Sequence, residues 1–210
     1  MTNLITLLSS NPYPGRGIVV GRDRVYYFIM GRSVNSRNRI FVKTEDGIRT
    51  EAHDPALLQD PSLIIYHPVR QTEQGLIVTN GDQTDTIRDM GCFRKALMTR
   101  EYEPDEPNFT PRISALLKKD GSFELSILKR ESGSCLREFF SYEACPEGQG
   151  YFISTYQGDG NPLPSFAGEP IPVTMPEPEQ VWQALNADNK VSLYANVHGC
   201  VTLFNKHLGD

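Results

Sequence analysis

Long apolar runs are missing from this 210-residue chain. None approaches the roughly 20 residues of a membrane-spanning helix. Basic excess is missing too. The formal charge is −5, which argues against general nucleic-acid binding, because that needs a basic surface. Cysteine is sparse: Cys92, Cys135, Cys145 and Cys200 are scattered without a C-x-x-C pair, so free thiols are expected rather than a zinc site or a disulfide framework. His53, His67, His198 and His207 lack the H-x-x-x-H spacing that sets two ligands on one helix face. No dinucleotide fingerprint is present. Neither a metal nor an organic cofactor is expected. The opening stretch, MTNLITLLSSNPYPG, has a short apolar patch without a basic segment before it, so no signal peptide is read and a cytoplasmic location is expected.

What is present suits a globular protein. Hydrophobic residues make up 39% and charged residues 22%, and the length is enough for one large domain with a real core. Residues 17–20 and 25–30 read as two strands around the turn Gly21-Arg22-Asp23-Arg24. A second pair is predicted at 39–44 and 47–51 around Glu45-Asp46-Gly47. Further strands are predicted at Leu63-Ile64-Ile65-Tyr66 and at 75–78. The period then changes, and Ile87, Met90, Phe93, Leu97 and Met98 fall at helical spacings, as one broken helix or two short ones. Strands resume at 112–117, 123–129, 137–142 and 150–156. A proline-rich loop covers 161–178, a short helix 179–185, and a last hairpin 191–197 with 201–204. Two groups of strands with helices between and after them predict an α+β fold whose sheets stack.

Polar groups gather in four places. Arginines cluster in the first 50 residues, and Arg16, Arg32 and Arg39 stand beside glycine or asparagine. A planar guanidinium suits phosphate or carboxylate, and a neighbouring glycine lets a ligand approach the backbone; the remaining arginines read as solvated turn residues. The segment Tyr102 to Arg112 brings together Glu103, Asp105, Glu106, Asn108 and Arg112, stiffened by three prolines. It reads either as an acidic connector or as part of a site. Tyr66, next to His67-Pro68, reads as core tyrosine or as a proton donor. The stretch TNGDQTDTI, Thr79 to Ile87, packs more polar side chains around Gly81 than a strand exit needs. Asp82 or Thr84 would cap a helix beginning near Asp85, which leaves Thr79, Asn80 and Gln83 unexplained.

Together these motifs resemble the archaeal-type IMP cyclohydrolase family. The likeness rests on Tyr13-x-Gly15-Arg16, on Gly31-Arg32-Ser33 with Asn38-Arg39, on Thr79-Asn80-Gly81-x-Gln83-Thr84-Asp85, and on Thr110-Pro111-Arg112-Ile113. It covers about the first half of the chain. The sequence departs from that pattern in the extension Met1 to Pro12 and in the Val34-Asn35-Ser36 spacing. The resemblance implies a four-layer αββα sandwich of two mainly antiparallel sheets, similar to N-terminal-nucleophile hydrolases, with residues 1–210 as one domain. It implies ring closure of 5-formamidoimidazole-4-carboxamide ribotide to IMP with loss of water, a step that needs no protein nucleophile, metal or organic cofactor. On that reading the partner is a small purine ribotide. Catalysis falls to Tyr66 and Glu103 as the proton-transfer pair, with Asp105 or Glu106 as substitutes for Glu103, and to Asn80 and Arg39. Substrate contacts fall to Arg16, Arg32, Asn38, Gly81 and Arg112.

Two rival readings remain at this stage. One is an amidohydrolase using Thr2 as a terminal nucleophile, although Asn3 to Leu8 has a spacing at least as helical as it is extended. The other is a ribotide-binding sensor that keeps the pocket and lacks the chemistry. Edge strands of a sandwich pair across subunit interfaces in many proteins, which leaves room for a homo-oligomer.

Overall fold

The computed structural model describes residues 1–58, 61 and 64–209. Among them, two seven-stranded sheets lie face to face. The first runs β1 (Thr2–Asn3), β12 (Ile171–Thr174), β11 (Gln149–Ser154), β2 (Arg16–Gly21), β3 (Arg24–Met30), β13 (Lys190–Val197) and β14 (Cys200–Asn205). The second runs β10 (Ser134–Tyr142), β9 (Phe123–Glu131), β8 (Arg112–Leu117), β7 (Leu76–Thr79), β6 (Val69–Gln71), β5 (Gly47–Ala52) and β4 (Arg39–Lys43). The β1–β12 pair is parallel. The others are antiparallel, with registers such as Ile18 opposite Tyr27 and Ile113 opposite Ile127.

Helices complete the layers: α1 (Leu4–Ser10), α2 (Val34–Arg37), α3 (Gln83–Met90), α4 (Phe93–Met98) and α5 (Pro178–Ala184). Alternation along the strands decides what each face meets. Ile18, Val20, Tyr27 and Ile29 pack between the sheets against Ile48, Val69, Val78, Ile113 and Ile127. The opposite face of the first sheet, with Val19, Tyr26, Phe28 and Met30, is covered by Leu4, Leu8, Val181 and Trp182. The opposite face of the second sheet, with Ile77, Leu116 and Leu128, is covered by Ile87, Phe93 and Leu97. The order is therefore helices, sheet, sheet, helices. Burial on both faces explains why β2 and β3 read as continuous apolar runs, whereas β10 at an edge mixes polar and apolar residues. No described helix is long and apolar enough to cross a membrane.

The expected hairpins and the break between α3 and α4 are present, and Leu4–Ser10 takes the helical alternative left open for Asn3 to Leu8. The break falls at Gly91, whose left-handed φ of 61° ends α3. The strand expected over 63–66 differs. Leu63 lies outside the described residues, and Ile64 to Tyr66 form no strand. Tyr66 N–H donates instead to the Thr50 hydroxyl at 3.0 Å, while Thr50 N–H donates to the Tyr66 carbonyl at 2.9 Å. The ladder with β5 is taken up by β6, which starts at Val69 opposite Ile48. The proline-rich stretch also contributes β12, which the proline content hides.

Candidate active site

Antiparallel pairing brings alternate strand ends to the same rim of the sandwich. Arg16 opens β2, Arg39 opens β4, Arg112 opens β8, and Asn80-Gly81 leave β7. Glu103 lies in the loop after α4, pinned by its own N–H to the Thr110 carbonyl at 2.9 Å. Two cavities open there, of about 260 and 210 Å³, and Glu103 lines both. The larger also carries Tyr13, Arg16, Arg32, Arg39 and Tyr156. The smaller carries Tyr66, Asn80, Gly81, Asp82 and Arg112.

The charges in this space are unbalanced. The Nε of Arg16, and the Nε and Nη1 of Arg39, are buried without a hydrogen-bond partner among the described residues. The guanidinium of Arg39 is further disfavoured by burial and by the nearby charge of Arg16, so its pKa is lowered. Burial also opposes the charge of Arg16, but Glu103 and Tyr66 outweigh it and the pKa is raised. The Glu103 carboxyl is pushed up by burial, against the pull of Arg16 and Arg112. It makes no hydrogen bond or ion pair with a described residue. Buried charges left unpaired are expensive. A buried acid with a raised pKa beside two unsatisfied guanidiniums suits proton transfer next to an anionic or carbonyl-bearing ligand.

Tyr66 is buried, and its hydroxyl lies 3.0 Å from that of Tyr27. Tyr27 is wholly buried within the sheet-to-sheet core and has no other hydroxyl partner among the described residues. If Tyr66 donated to Tyr27, the Tyr27 proton would have no acceptor, so Tyr27 donates and the Tyr66 proton is left for the cavity.

The TNGDQTD stretch proves to be a brace. Thr79 and Thr84 hydroxyls pair at 2.6 Å and both reach the Gly81 carbonyl, closing the turn. Asn80 accepts from Ile113 N–H at 2.9 Å and from the Gln83 amide at 3.0 Å, and donates to the Pro111 carbonyl at 2.9 Å. Gln83 and Asp82 then hold Arg112 Nη1 at 2.7 and 2.8 Å. A Cβ on Gly81 would sit 2.6 Å from that nitrogen, so glycine is needed for its approach. Asp82 forms no side-chain cap; it pairs with Arg112 and Arg100 instead, and α3 begins at Gln83, two residues before the expected start.

The structure brings Arg16, Arg32, Arg39, Tyr66, Asn80, Gly81, Glu103 and Arg112 to these cavities. Arg32 stands on the exposed rim, paired with Asp159 and 4.8 Å from the Tyr13 ring centroid. Asn38 lines neither cavity; its amide is taken up by the backbone of Asp54, at 2.8 and 2.7 Å. Its side chain thus braces the Asp54 backbone. Asn80 reaches the cavity wall with its oxygen already doubly engaged. Thr2 is exposed on the edge strand β1 and lines neither cavity, which removes the terminal-nucleophile arrangement from this site.

Sequence reasoning missed Tyr27, Tyr156 and Thr110. Tyr27 lies inside the apolar strand β3 and Tyr156 just past the end of β11, and in such apolar runs tyrosine reads as core. A separate cleft of about 330 Å³ is lined by Arg22, Lys118, Lys119 and His198 among others. There Arg24 is already paired with Asp23 and Glu177. Asp23, Glu147 and His198 also bring three ligand atoms within 4.8 Å of one another beside it. Both Asp23 oxygens are engaged, by Arg24 at 2.9 Å and Gly148 N–H at 3.1 Å. The candidate site is therefore the one at Glu103, where buried cations lack partners among the described residues.

A family model described as "IMP cyclohydrolase-like protein" matches residues 13–200. The chain is similar to the IMP cyclohydrolase of Methanopyrus kandleri, 31% identical over 166 residues, which is 73% of this chain and 79% of that protein. It is also similar to the IMP cyclohydrolase of Methanococcus aeolicus, 26% identical over 69% of this chain and 74% of that protein. A third relative, the IMP cyclohydrolase of Haloarcula marismortui, is 28% identical over 52% of this chain and 57% of that protein.

Proposed function

Because the chain belongs to the IMP cyclohydrolase-like family, we propose that it closes the ring of 5-formamidoimidazole-4-carboxamide ribotide to IMP. The observation that carries this reading is the buried Glu103 carboxyl between the unsatisfied guanidiniums of Arg16 and Arg39 and the side chain of Arg112. We read residues 1–210 as one catalytic domain working in the cytoplasm. A homo-oligomer would form through the edge strands β10 or β14.

The carboxamide nitrogen attacks the formyl carbon, forming one C–N bond and turning the formyl oxygen into an oxyanion. Glu103 takes a proton from that nitrogen. Tyr66 gives its cavity-facing proton to the oxygen, which becomes a hydroxyl. Glu103 then returns its proton to that hydroxyl, which leaves as water, while the Tyr66 phenolate takes the proton of the former formamide nitrogen and a C=N bond forms. Arg16 and Arg39 place positive charge against the carbonyl oxygen and the oxyanion, while Arg32, Ser33 and Ser36 on the rim meet the 5′-phosphate. The proton shuttle is worth about 10²–10⁴-fold. The reaction is intramolecular, so holding the formamide in the reactive rotamer is the other large contribution. Asn80 and Gly81 serve by fixing Arg112 at the wall.

Purified protein given the formylated ribotide should produce IMP, followed by ultraviolet absorbance. Tight binding of the ribotide without turnover would instead establish a sensor.

A further inference from the structure

Tyr156 lines the larger cavity with Arg16 and Arg39, and the chemistry above does not use it. We propose that its phenolic oxygen accepts a hydrogen bond from a ribose hydroxyl of the ligand, so that Tyr156 selects ribose over deoxyribose. This rests on the ribotide reading and adds a specificity residue to it.

The direction of one hydrogen-bond chain carries the argument. Asp105 accepts from Thr110 N–H at 2.6 Å through one oxygen and from the Thr110 hydroxyl through the other. A carboxylate has no proton to give, so Thr110 donates to it. Thr110 Oγ1, 2.6 Å from the Tyr156 hydroxyl, must then accept from that hydroxyl. The Tyr156 proton is committed, and its oxygen presents only lone pairs to the cavity. Thr110 is its sole hydroxyl partner among the described residues. Burial pushes the phenol up to about 12, so it stays protonated and the direction holds at neutral pH.

The ring is firmly seated. It stacks on Tyr13 with centroids 6.0 Å apart. Gly15, at a φ of +73°, leaves the space that the ring fills: a Cβ there would lie 2.5 Å from the Tyr156 Cδ2. The Tyr13-x-Gly15-Arg16 motif thus builds the seat as well as supplying the arginine. An acceptor in the cavity needs a donor on the ligand. The base is handled by Tyr66 in the other cavity and by Glu103, which lines both, while Arg32, Ser33 and Ser36 mark the phosphate end of the larger. The part of a ribotide between base and phosphate is the sugar, whose hydroxyls are its donors.

Calorimetric titration with IMP, 2′-deoxy-IMP and 3′-deoxy-IMP tests this. Wild-type protein should bind IMP about five- to tenfold more tightly than at least one deoxy analogue, because the acceptor is left unpaired. Tyr156→Phe keeps the ring and should bind all three alike. Thr110→Val frees the Tyr156 proton and should also weaken the preference. Equal wild-type affinity for the three nucleotides overturns the proposal, as does a preference that survives in Tyr156→Phe. If folded wild-type protein binds none of them, the ribotide reading itself has failed.

Discussion

The hydroxyls of Tyr27 and Tyr66 lie 3.0 Å apart, with Tyr27 sealed in the core between the sheets. The buried phenol donates, which leaves Tyr66 to donate into the cavity. Tyr66→Phe is therefore expected to lower kcat at least tenfold with KM little changed, the pattern of a group acting in the transition state. Tyr27→Phe should lower kcat several-fold, because Tyr66 then loses the partner that aims its proton. Steady-state kinetics of both variants check this; a change confined to KM would make Tyr66 a binding group.

Glu103 couples function to stability. Burial raises its pKa above the ordinary 4.5, with Arg16 and Arg112 opposing. The folded state thus binds this proton more tightly than the unfolded chain. Its contribution to stability is complete below about 4.5 and is lost as pH rises through the higher folded value. Glu103→Gln should lose at least tenfold in kcat. Its Tm relative to wild type should improve between about pH 4 and about pH 7. Thermal melts across that range read the difference directly.

Arg39 is a buried cation whose Nε and Nη1 lack partners among the described residues. Arg39→Met should weaken IMP binding at least tenfold and leave Tm unchanged or higher, since a desolvated charge is removed along with its repulsion from Arg16. Calorimetry and a melting curve suffice. A large loss of stability would mean that Arg39 is structural.

The brace around Arg112 gives two contrasting variants. Gly81→Ala sets a Cβ 2.6 Å from Arg112 Nη1 and 2.7 Å from Gln83 Oε1, and is expected to cost about 1–3 kcal/mol by overpacking and to abolish turnover. Asn80→Ala leaves Ile113 N–H without its acceptor, costing about 1–3 kcal/mol. Urea unfolding measures both costs. Loss of activity in Asn80→Ala beyond the loss of folded protein would return Asn80 to the chemistry.

Much of this was legible in the residues. Apolar runs and glycine turns marked β2, β3, β8 and β9, and the arginines beside glycine marked the cavity. The sequence could not say which polar groups would be used up inside the protein. Asn38 and Asn80 look alike as side chains in motifs, and both amides are used up inside the protein. Only Asn80 also reaches a cavity wall, while Asn38 is turned to the Asp54 backbone. That outcome depends on residues 16 positions away, which no local pattern reports. Tyr156 was invisible for the opposite reason. Its partner Thr110 is 46 positions distant, and only the folded chain joins them. The strand expected at 63–66 failed because a side-chain hydroxyl, that of Thr50, stands where a ladder bond was assumed.

The central claim is ring closure at Glu103. Purified protein is given 5-formamidoimidazole-4-carboxamide ribotide, and IMP formation is followed by absorbance for wild type and Glu103→Gln. IMP is expected at a rate well above the uncatalysed background, reduced at least tenfold in the variant. A wild-type rate no faster than background, in protein that binds the ribotide, would contradict it.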